Sequence, residues 1–335
     1  MRTLIIGAGA IGCYLACKLS ETGADVTLHG LGPAFQRMAE SGIDIATRED
    51  MRIRRVKVNC ALSPPGPAGW DVIIFAVKAH DLPSAAQQFS VHAREGIIVL
   101  PQNGLPYWQF LRVAGAEARL ASVDPGGIAE RALPIAQIAG GVVTKGLTVL
   151  ADGTLVETVL PADSFAFGDV VANSGVAKPV VSLLQSAGLP AIEVVDIRIE
   201  KWRKLLVNVA FNPLGAISHL GFGEVLDIEA GERLARVILS EAKEIATRYG
   251  VRGLIDAEAA LKRASSSRMH KTSMLQDTES GRRLEVEPIV GVLLELAHRA
   301  GLHVPTLETI GDCVRLIDHA LVKGPIRQIA GNPKV

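Results

Sequence analysis

The chain has few aromatic residues, few cysteines and no excess of either charge. Phe, Trp and Tyr together make up 4% of its 335 residues, too few to serve as stacking platforms for nucleic-acid bases. Lys+Arg 35 cancels Asp+Glu 35, so no global basic field draws the chain to nucleic acid or to an anionic membrane. Cys13, Cys17, Cys60 and Cys313 form no CxxC pair and no metal-site spacing with the histidines. They read as buried, reduced thiols of a cytoplasmic protein. No apolar run approaches the ~20 residues of a membrane span. The opening MRTLIIGAGAIGCYLAC begins as a signal peptide would, with a cation and a small apolar run. Its glycines fall at a functional spacing, however, and Lys18 and Glu21 follow with helical periodicity, so it reads as the first structural element. What remains is an ordinary soluble composition, 48% hydrophobic and 21% charged, in a chain long enough for two domains.

Thr3 to Ile6 is a short apolar strand, and Gly7-Ala8-Gly9-Ala10-Ile11-Gly12 follows it directly. A helix then carries Ile11, Leu15 and Leu19 at four-residue spacing, and a second strand begins at Asp25. This is the βαβ dinucleotide fingerprint. Gly7 permits the tight turn, Gly9 lets the backbone approach a pyrophosphate, and Gly12 lets the helix pack on the strand. The helix N-terminus offers N–H groups and a positive dipole end to the phosphates. Further on, Asp71 to Val77 and Ile97 to Leu100 are continuous apolar runs, as in buried parallel strands; they end in Lys78 and in Gln102-Asn103-Gly104. Ligands of an open parallel sheet bind beyond the carboxyl ends of its strands. The glycine loop, Lys78 and Asn103 are therefore delivered to one edge, although singly Lys78 is also a solvated lysine and Asn103 a turn former.

Met51 to Val58 alternates like an edge strand, and Leu147 to Leu150 with Thr154 to Val159 form a hairpin around Ala151-Asp152-Gly153. Ser174 to Ala187 is helical and Ala191 to Val195 is the last strand. From Asp196 the pattern is helical only, which sets the domains at 1–195 and 196–335. The stretch Glu200–Pro213, EKWRKLLVNVAFNP, is the most informative. At about 100° per residue, Lys204, Asn208 and Asn212 stand at i, i+4 and i+8, a polar seam on one side of a helix. Leu205, Leu206, Val207, Val209, Ala210 and Phe211 cover the rest. A helix apolar all round is a buried helix, so the seam faces either a hydrogen-bonded network or a cavity holding something polar. A buried ammonium is costly without a negative partner. Glu285, on a helix expected to start near Gly281, sits four before Ile289 and eight before Leu293 and is the best-placed acid. Taken alone it reads first as an acid favoured at a helix start. Ser273, in the polar segment before it, is a candidate site hydroxyl.

Together these pieces resemble the ketopantoate reductase (2-dehydropantoate 2-reductase) family. The resemblance rests on GAGAIG at the start, VKAHD around Lys78, QNG at Asn103, KWRKLLVNVAFNP, and SMLQD (Ser273–Asp277) followed by Glu285, in that order along nearly the whole chain. It implies an α/β chain with an N-terminal Rossmann-type dinucleotide-binding domain and an all-helical C-terminal domain. In the interdomain cleft NADPH would reduce a small 2-oxo acid, 2-dehydropantoate or a close analogue, to the 2-hydroxy acid. By the same resemblance Lys204 is the proton donor, and Glu285 holds the substrate and helps close the site over the cofactor. Asn103, Asn208, Asn212 and Ser273 then contact substrate, while Lys78 and Asn103 line the nicotinamide end.

The chain departs from the family at Phe222, where a further asparagine is expected, and at Leu31, where an arginine for the 2′-phosphate is expected. No acid follows the second strand to bind the ribose of NAD either. Arg37, Arg52, Arg54 and Arg55 are the remaining cations for a 2′-phosphate. The expectation is NADPH, preferred about tenfold or roughly 1.4 kcal/mol, with NAD not excluded. Two other readings stand beside this one. One is a β-hydroxyacid dehydrogenase resembling 6-phosphogluconate dehydrogenase, which also uses a KxxxN helix; SMLQD and Asn212 argue against it. The other is a non-catalytic NADP-binding sensor, which would need neither Lys204 nor Glu285. The expected partners are the 2-oxo acid and a second copy of the chain in a homodimer, with no nucleic acid, membrane or metal.

Overall fold

The apolar runs become the middle of a large sheet. Along the chain the strands are β1 (Thr3–Ile6), β2 (Val26–His29), β3 (Ile43–Thr47), β4 (Arg54–Val56), β5 (Asn59–Ala61), β6 (Val72–Phe75), β7 (Ile97–Leu100), β8 (Ile138–Thr144), β9 (Gly146–Val149), β10 (Leu155–Thr158), β11 (Ser164–Asp169) and β12 (Ala191–Glu193). The helices are α1 (Ala10–Glu21), α2 (Gly32–Ser41), α3 (Leu82–Gln88), α4 (Ile128–Ala132), α5 (Ala177–Ser186), α6 (Ile197–Ser218), α7 (Phe222–Leu226), α8 (Glu229–Arg248), α9 (Ser273–Glu279), α10 (Val292–Ala300) and α11 (Pro305–Lys323). This computed structural model describes residues 1–113, 119–160, 162–254, 259, 261 and 271–323. Two compact units are present, Met1–Lys204 and Leu205–Val335. The sequence reading begins the second domain at Asp196, just before α6; the compact units part inside that helix.

In the first unit eight strands run in the order β12-β11-β8-β7-β6-β1-β2-β5. From β5 to β8 all neighbours are parallel, and β11 turns antiparallel to β8. β1, β6 and the end of β7 are buried on both faces, which is why they read as unbroken apolar runs. Their side chains alternate between two cores. Ile5, Ile74 and Val99 pack with α1 and α5 on one face, and Leu4, Ile6, Ile73 and Phe75 with α3 and α4 on the other.

A second, four-stranded sheet of order β4-β3-β10-β9 packs against α1. The expected hairpin is its β9–β10 pair and the expected edge strand is β4. β8 and β11 carry no strand signal of the usual kind. Gly140 and Gly141 interrupt β8 because a Cβ on either would stand 2.6 Å from the Trp108 ring or 2.5 Å from the Phe167 ring. The second unit is helical throughout its described residues. There α8 buries Ala235, Ile238, Leu239, Ala242 and Ile245, and α10 and α11 pack on it. The Glu241 carboxylate accepts from Thr306 N and Leu307 N at 3.1 and 2.8 Å, satisfying otherwise unpaired donors at the start of α11.

No helix among the described residues is long and apolar enough to cross a membrane, and no group of three metal-ligating side chains is found there. Cys13 and Cys17 are buried, whereas Cys60 and Cys313, also expected inside, are half-buried. Burial pushes the Cys13 thiol up to about 12.

Candidate active site

The first unit gathers its candidates along one sheet edge. The glycine loop leaves the carboxyl end of β1 and opens α1. Gly7 has φ +110°, and a Cβ there would stand 2.8 Å from the Ala76 carbonyl carbon; at Gly12 it would stand 1.9 Å from Gly7 O. Neither position admits a side chain. Gly9 differs, since a Cβ there would meet nothing within 4 Å, and it is the N-cap residue of α1 with no side chain capping that helix. A bare helix N-terminus beside open space is the arrangement that receives a pyrophosphate. Gly7, Ala8, Gly9, Ala10, Ile11 and Gly12 therefore fit a dinucleotide.

Lys78 follows the end of β6 and Asn103 the end of β7, both half-buried. Lys204 donates its ammonium to Val143 O near the end of β8. Since β8, β7, β6 and β1 are neighbours in that order, the fold brings Lys204, Asn103, Lys78 and the glycine loop to the ends of four successive strands. Adjacent strands lie about 4.8 Å apart. The expectation of a deeply buried Lys204 is corrected: it is half-buried, and the buried lysine of α6 is Lys201, 3% exposed. Lys201 was missed in the sequence because its burial depends on Gln102, 99 positions away, whose carbonyl accepts from its Nζ at 2.5 Å.

The 2′-phosphate candidates separate. Arg55 is held by Asp44 at 2.7 and 2.8 Å, and Arg54 pairs with Glu21. The backbone of Arg52 binds the Asp50 carboxylate. Arg37 is exposed on α2, just past β2, and carries no ion pair among the described residues. Leu31, at the N-cap of α2, is 77% exposed.

In the second unit Asn208 and Asn212 lie one turn apart on α6. Asn208 is half-buried; Asn212 is 2% exposed, and its amide nitrogen meets no hydrogen-bond partner among the described residues. Gly215, three residues on, lets α9 approach, for a Cβ there would lie 3.0 Å from Thr272 Oγ1. Thr272 caps α9 by accepting from Leu275 N at 3.1 Å, and exposed Ser273 is the first residue of that helix. Phe222, at the start of α7, packs its ring on Phe211 with centroids 5.1 Å apart. An apolar pair therefore occupies the position where an amide is expected.

Glu285 is not on the helix stripe the sequence suggests. Gly281, at φ +63°, ends α9, as a left-handed glycine commonly does, and the next helix begins only at Val286. Its first turns are a π-helix, Glu287–Gly291. Glu285 is buried in the short extended link, framed by two bonds to α11. Leu284 N donates to Asp318 Oδ1 at 2.7 Å, and Arg315 clasps Glu287 at 2.9 and 3.1 Å. Two cavities of about 750 and 890 Å³ lie at the amino ends of the strands, near Arg94 and Ile135 and near Trp70 and Ile97, and hold none of these residues.

Two family models match the chain, Ketopantoate reductase PanE/ApbA over residues 3–170 and Ketopantoate reductase PanE/ApbA C terminal over residues 196–318. A 2-dehydropantoate 2-reductase of Mesorhizobium japonicum is 33% identical over 323 residues, covering 94% of this chain and 97% of its own. A solved candidate ketopantoate reductase from Ralstonia solanacearum superposes with TM-score 0.85 at 27% identity, covering 95% of this chain and 98% of its own. A D-mandelate dehydrogenase solved with NADH and anilino(oxo)acetate has TM-score 0.82 at 20% identity over 96% of this chain and all of its own, a likeness of fold alone.

Proposed function

The chain belongs to the ketopantoate reductase family, and on that premise we propose that it reduces 2-dehydropantoate to pantoate, a step of pantothenate and coenzyme A biosynthesis. NADPH, when bound, supplies the hydride that reduces the ketone carbon. The residues of the chain do the rest. Glycines 7, 9 and 12 and the first turn of α1 hold the pyrophosphate, and Lys78 and Asn103 border the nicotinamide end. The Lys204 ammonium stabilises the growing alkoxide and gives it a proton. Asn208 and Asn212, one and two turns on, orient the hydroxyl and carboxylate groups of the substrate, with Ser273 beside them. Glu285 binds a substrate hydroxyl and counters the lysine.

The observation that carries this reading is the α6 seam, and within it Asn212, whose buried amide is an unpaired donor. Buried polar atoms are as a rule paired, and an incoming carboxylate or hydroxyl would satisfy this one. The sensor reading leaves both Lys204 and Glu285 without a task. The 6-phosphogluconate dehydrogenase-like reading leaves SMLQD and Asn212 unexplained. Action in the cytoplasm as a homodimer belongs to the same proposal; a solved ketopantoate reductase of this fold is dimeric.

The test is NADPH oxidation by the purified protein against a panel of 2-dehydropantoate, other branched 2-oxo acids and an aromatic one. The highest kcat/KM is expected with 2-dehydropantoate. Because half-buried Phe222 puts an apolar ring where an amide is expected, a clear preference for the aromatic acid would move the assignment to another 2-oxo-acid reductase. No oxidation with any acid would favour the sensor.

A further inference from the structure

Lys201 has no place in the scheme above, yet it is one of the few buried charges among the described residues, 3% exposed. Its Nζ donates to Gln102 O at 2.5 Å, the carbonyl of the peptide that leads into Asn103. The Gln102 side chain then reaches across to the next strand, where Nε2 donates to Phe75 O at 2.5 Å and, more weakly, to Val77 O at 3.4 Å. Val77 precedes Lys78. Two links thus join α6 to the ends of β7 and β6, beside the two loop residues of the nicotinamide end.

One turn earlier on α6, Arg198 fixes the far side of the same loop. Its guanidinium donates to the carbonyls of Gln109 at 2.7 Å, Leu111 at 3.1 Å and Val170 at 3.0 Å, and also to that of Trp108. Gln109 Nε2 answers by donating to Arg198 O at 3.3 Å. Lys201 Nζ lies 6.0 Å from the centre of the Trp108 ring and Arg198 5.6 Å from it. The segment from Gln102 to Leu111 is therefore pinned at both ends by successive turns of the helix that carries Lys204.

Packing alone does not account for an ammonium here. Taking an ammonium out of water carries a desolvation cost that an unbranched apolar chain of the same length would not. What the ammonium adds is direction, since a charge-assisted bond fixes where the Gln102–Asn103 peptide points. We infer that Lys201 is a positioning residue of the reductase: through Gln102 it sets Asn103 and Lys78 in register with Lys204. This inference rests on the catalytic reading of Asn103 and Lys204.

The test is a double-substitution cycle on the full-length enzyme, comparing native, Lys201→Met, Asn103→Ala and the pair. Lys201→Met should lower kcat with 2-dehydropantoate by about 10²-fold, the scale of a misplacement near 1 Å, with KM for NADPH little changed. In the Asn103→Ala background the same change should cost far less, because both substitutions remove one placement. Lys201→Gln, which keeps a neutral donor for the Gln102 carbonyl, should recover part of the loss. Thermal unfolding and NADPH fluorescence report the fold of each variant; if Lys201→Met is unfolded, Lys201→Gln carries the cycle. Full turnover in the folded Lys201 variant, or losses that simply add, would overturn the inference while leaving the native activity intact. A native enzyme inactive with every 2-oxo acid would instead defeat the catalytic reading itself.

Discussion

At Asn212 stability and function pull against each other. A buried, unpaired amide N–H costs about 1–3 kcal/mol of desolvation, and its neighbours Ala210, Phe211 and Leu214 are buried apolar side chains. Asn212→Leu, with the same count and branching of side-chain heavy atoms, should therefore stabilise the ligand-free enzyme while lowering kcat/KM for the oxo acid. Thermal unfolding without substrate, set beside steady-state kinetics, checks both halves. A destabilised variant with native kinetics would mean that the amide serves the packing of α6. Lys201 shows the complementary case, a buried charge that donates to a carbonyl of the loop it holds.

Among the elements, α1 is tied to the small sheet by a buried polar cluster. Tyr14 donates to Glu157 Oε1 at 2.6 Å, and Lys145 bridges Glu157 and Asp163 at 2.9 and 2.6 Å. Lys18 lies 3.2 Å from the other Glu157 oxygen. Burial by itself would raise the Glu157 carboxyl, but the bonds from Tyr14 and Lys145 and the charges of Lys18 and Lys145 outweigh it and hold the group below its ordinary value. A carboxylate depressed on folding contributes stability above its unfolded value of about 4.3 and loses it as pH falls through the folded one. Glu157→Gln should thus destabilise the first unit near neutrality by about 1.5–3 kcal/mol, the scale of a hydrogen bond to a charged group. The deficit should shrink as pH drops below 4, read from urea midpoints across pH. A deficit that is constant with pH would assign the cluster to shape alone.

The α2 element bears on cofactor choice. Arg54 and Arg55 are engaged by Glu21 and Asp44 and Arg52 is held through its backbone only; among the described candidates Arg37 is the one on α2, the helix that directly follows β2. Arg37→Ala should erase most of the expected NADPH preference of roughly tenfold, about 1.4 kcal/mol, with little effect on NADH. Fluorescence titration of both reduced cofactors checks it. An unchanged ratio would return the preference to the exposed start of α2.

Across the whole molecule, the parts legible in the sequence were those set by local pattern. β1, β6 and β7 announced themselves as apolar runs because both their faces are covered, and GAGAIG because only glycine fits at Gly7 and Gly12. β8 stayed hidden because its glycines answer to Trp108 and Phe167, distant in sequence. The small sheet showed its β9–β10 hairpin and its edge strand β4 but not β3, whose five residues are too few to show a period. In the site, the α6 seam was readable from helical spacing, but which of its lysines is buried was not, because Gln102 decides that. Glu285 was misplaced as an element, since Gly281 ends one helix instead of starting the next.

Lys204 is the point on which the account turns, as the only residue assigned to deliver the proton. Its most direct test is the turnover of 2-dehydropantoate with saturating NADPH by Lys204→Ala. The expected kcat is ~10²–10⁴-fold below the native value, the usual scale for a lost general acid, with NADPH fluorescence showing the cofactor bound as before. A Lys204→Ala enzyme that turns over at the native rate would contradict the account.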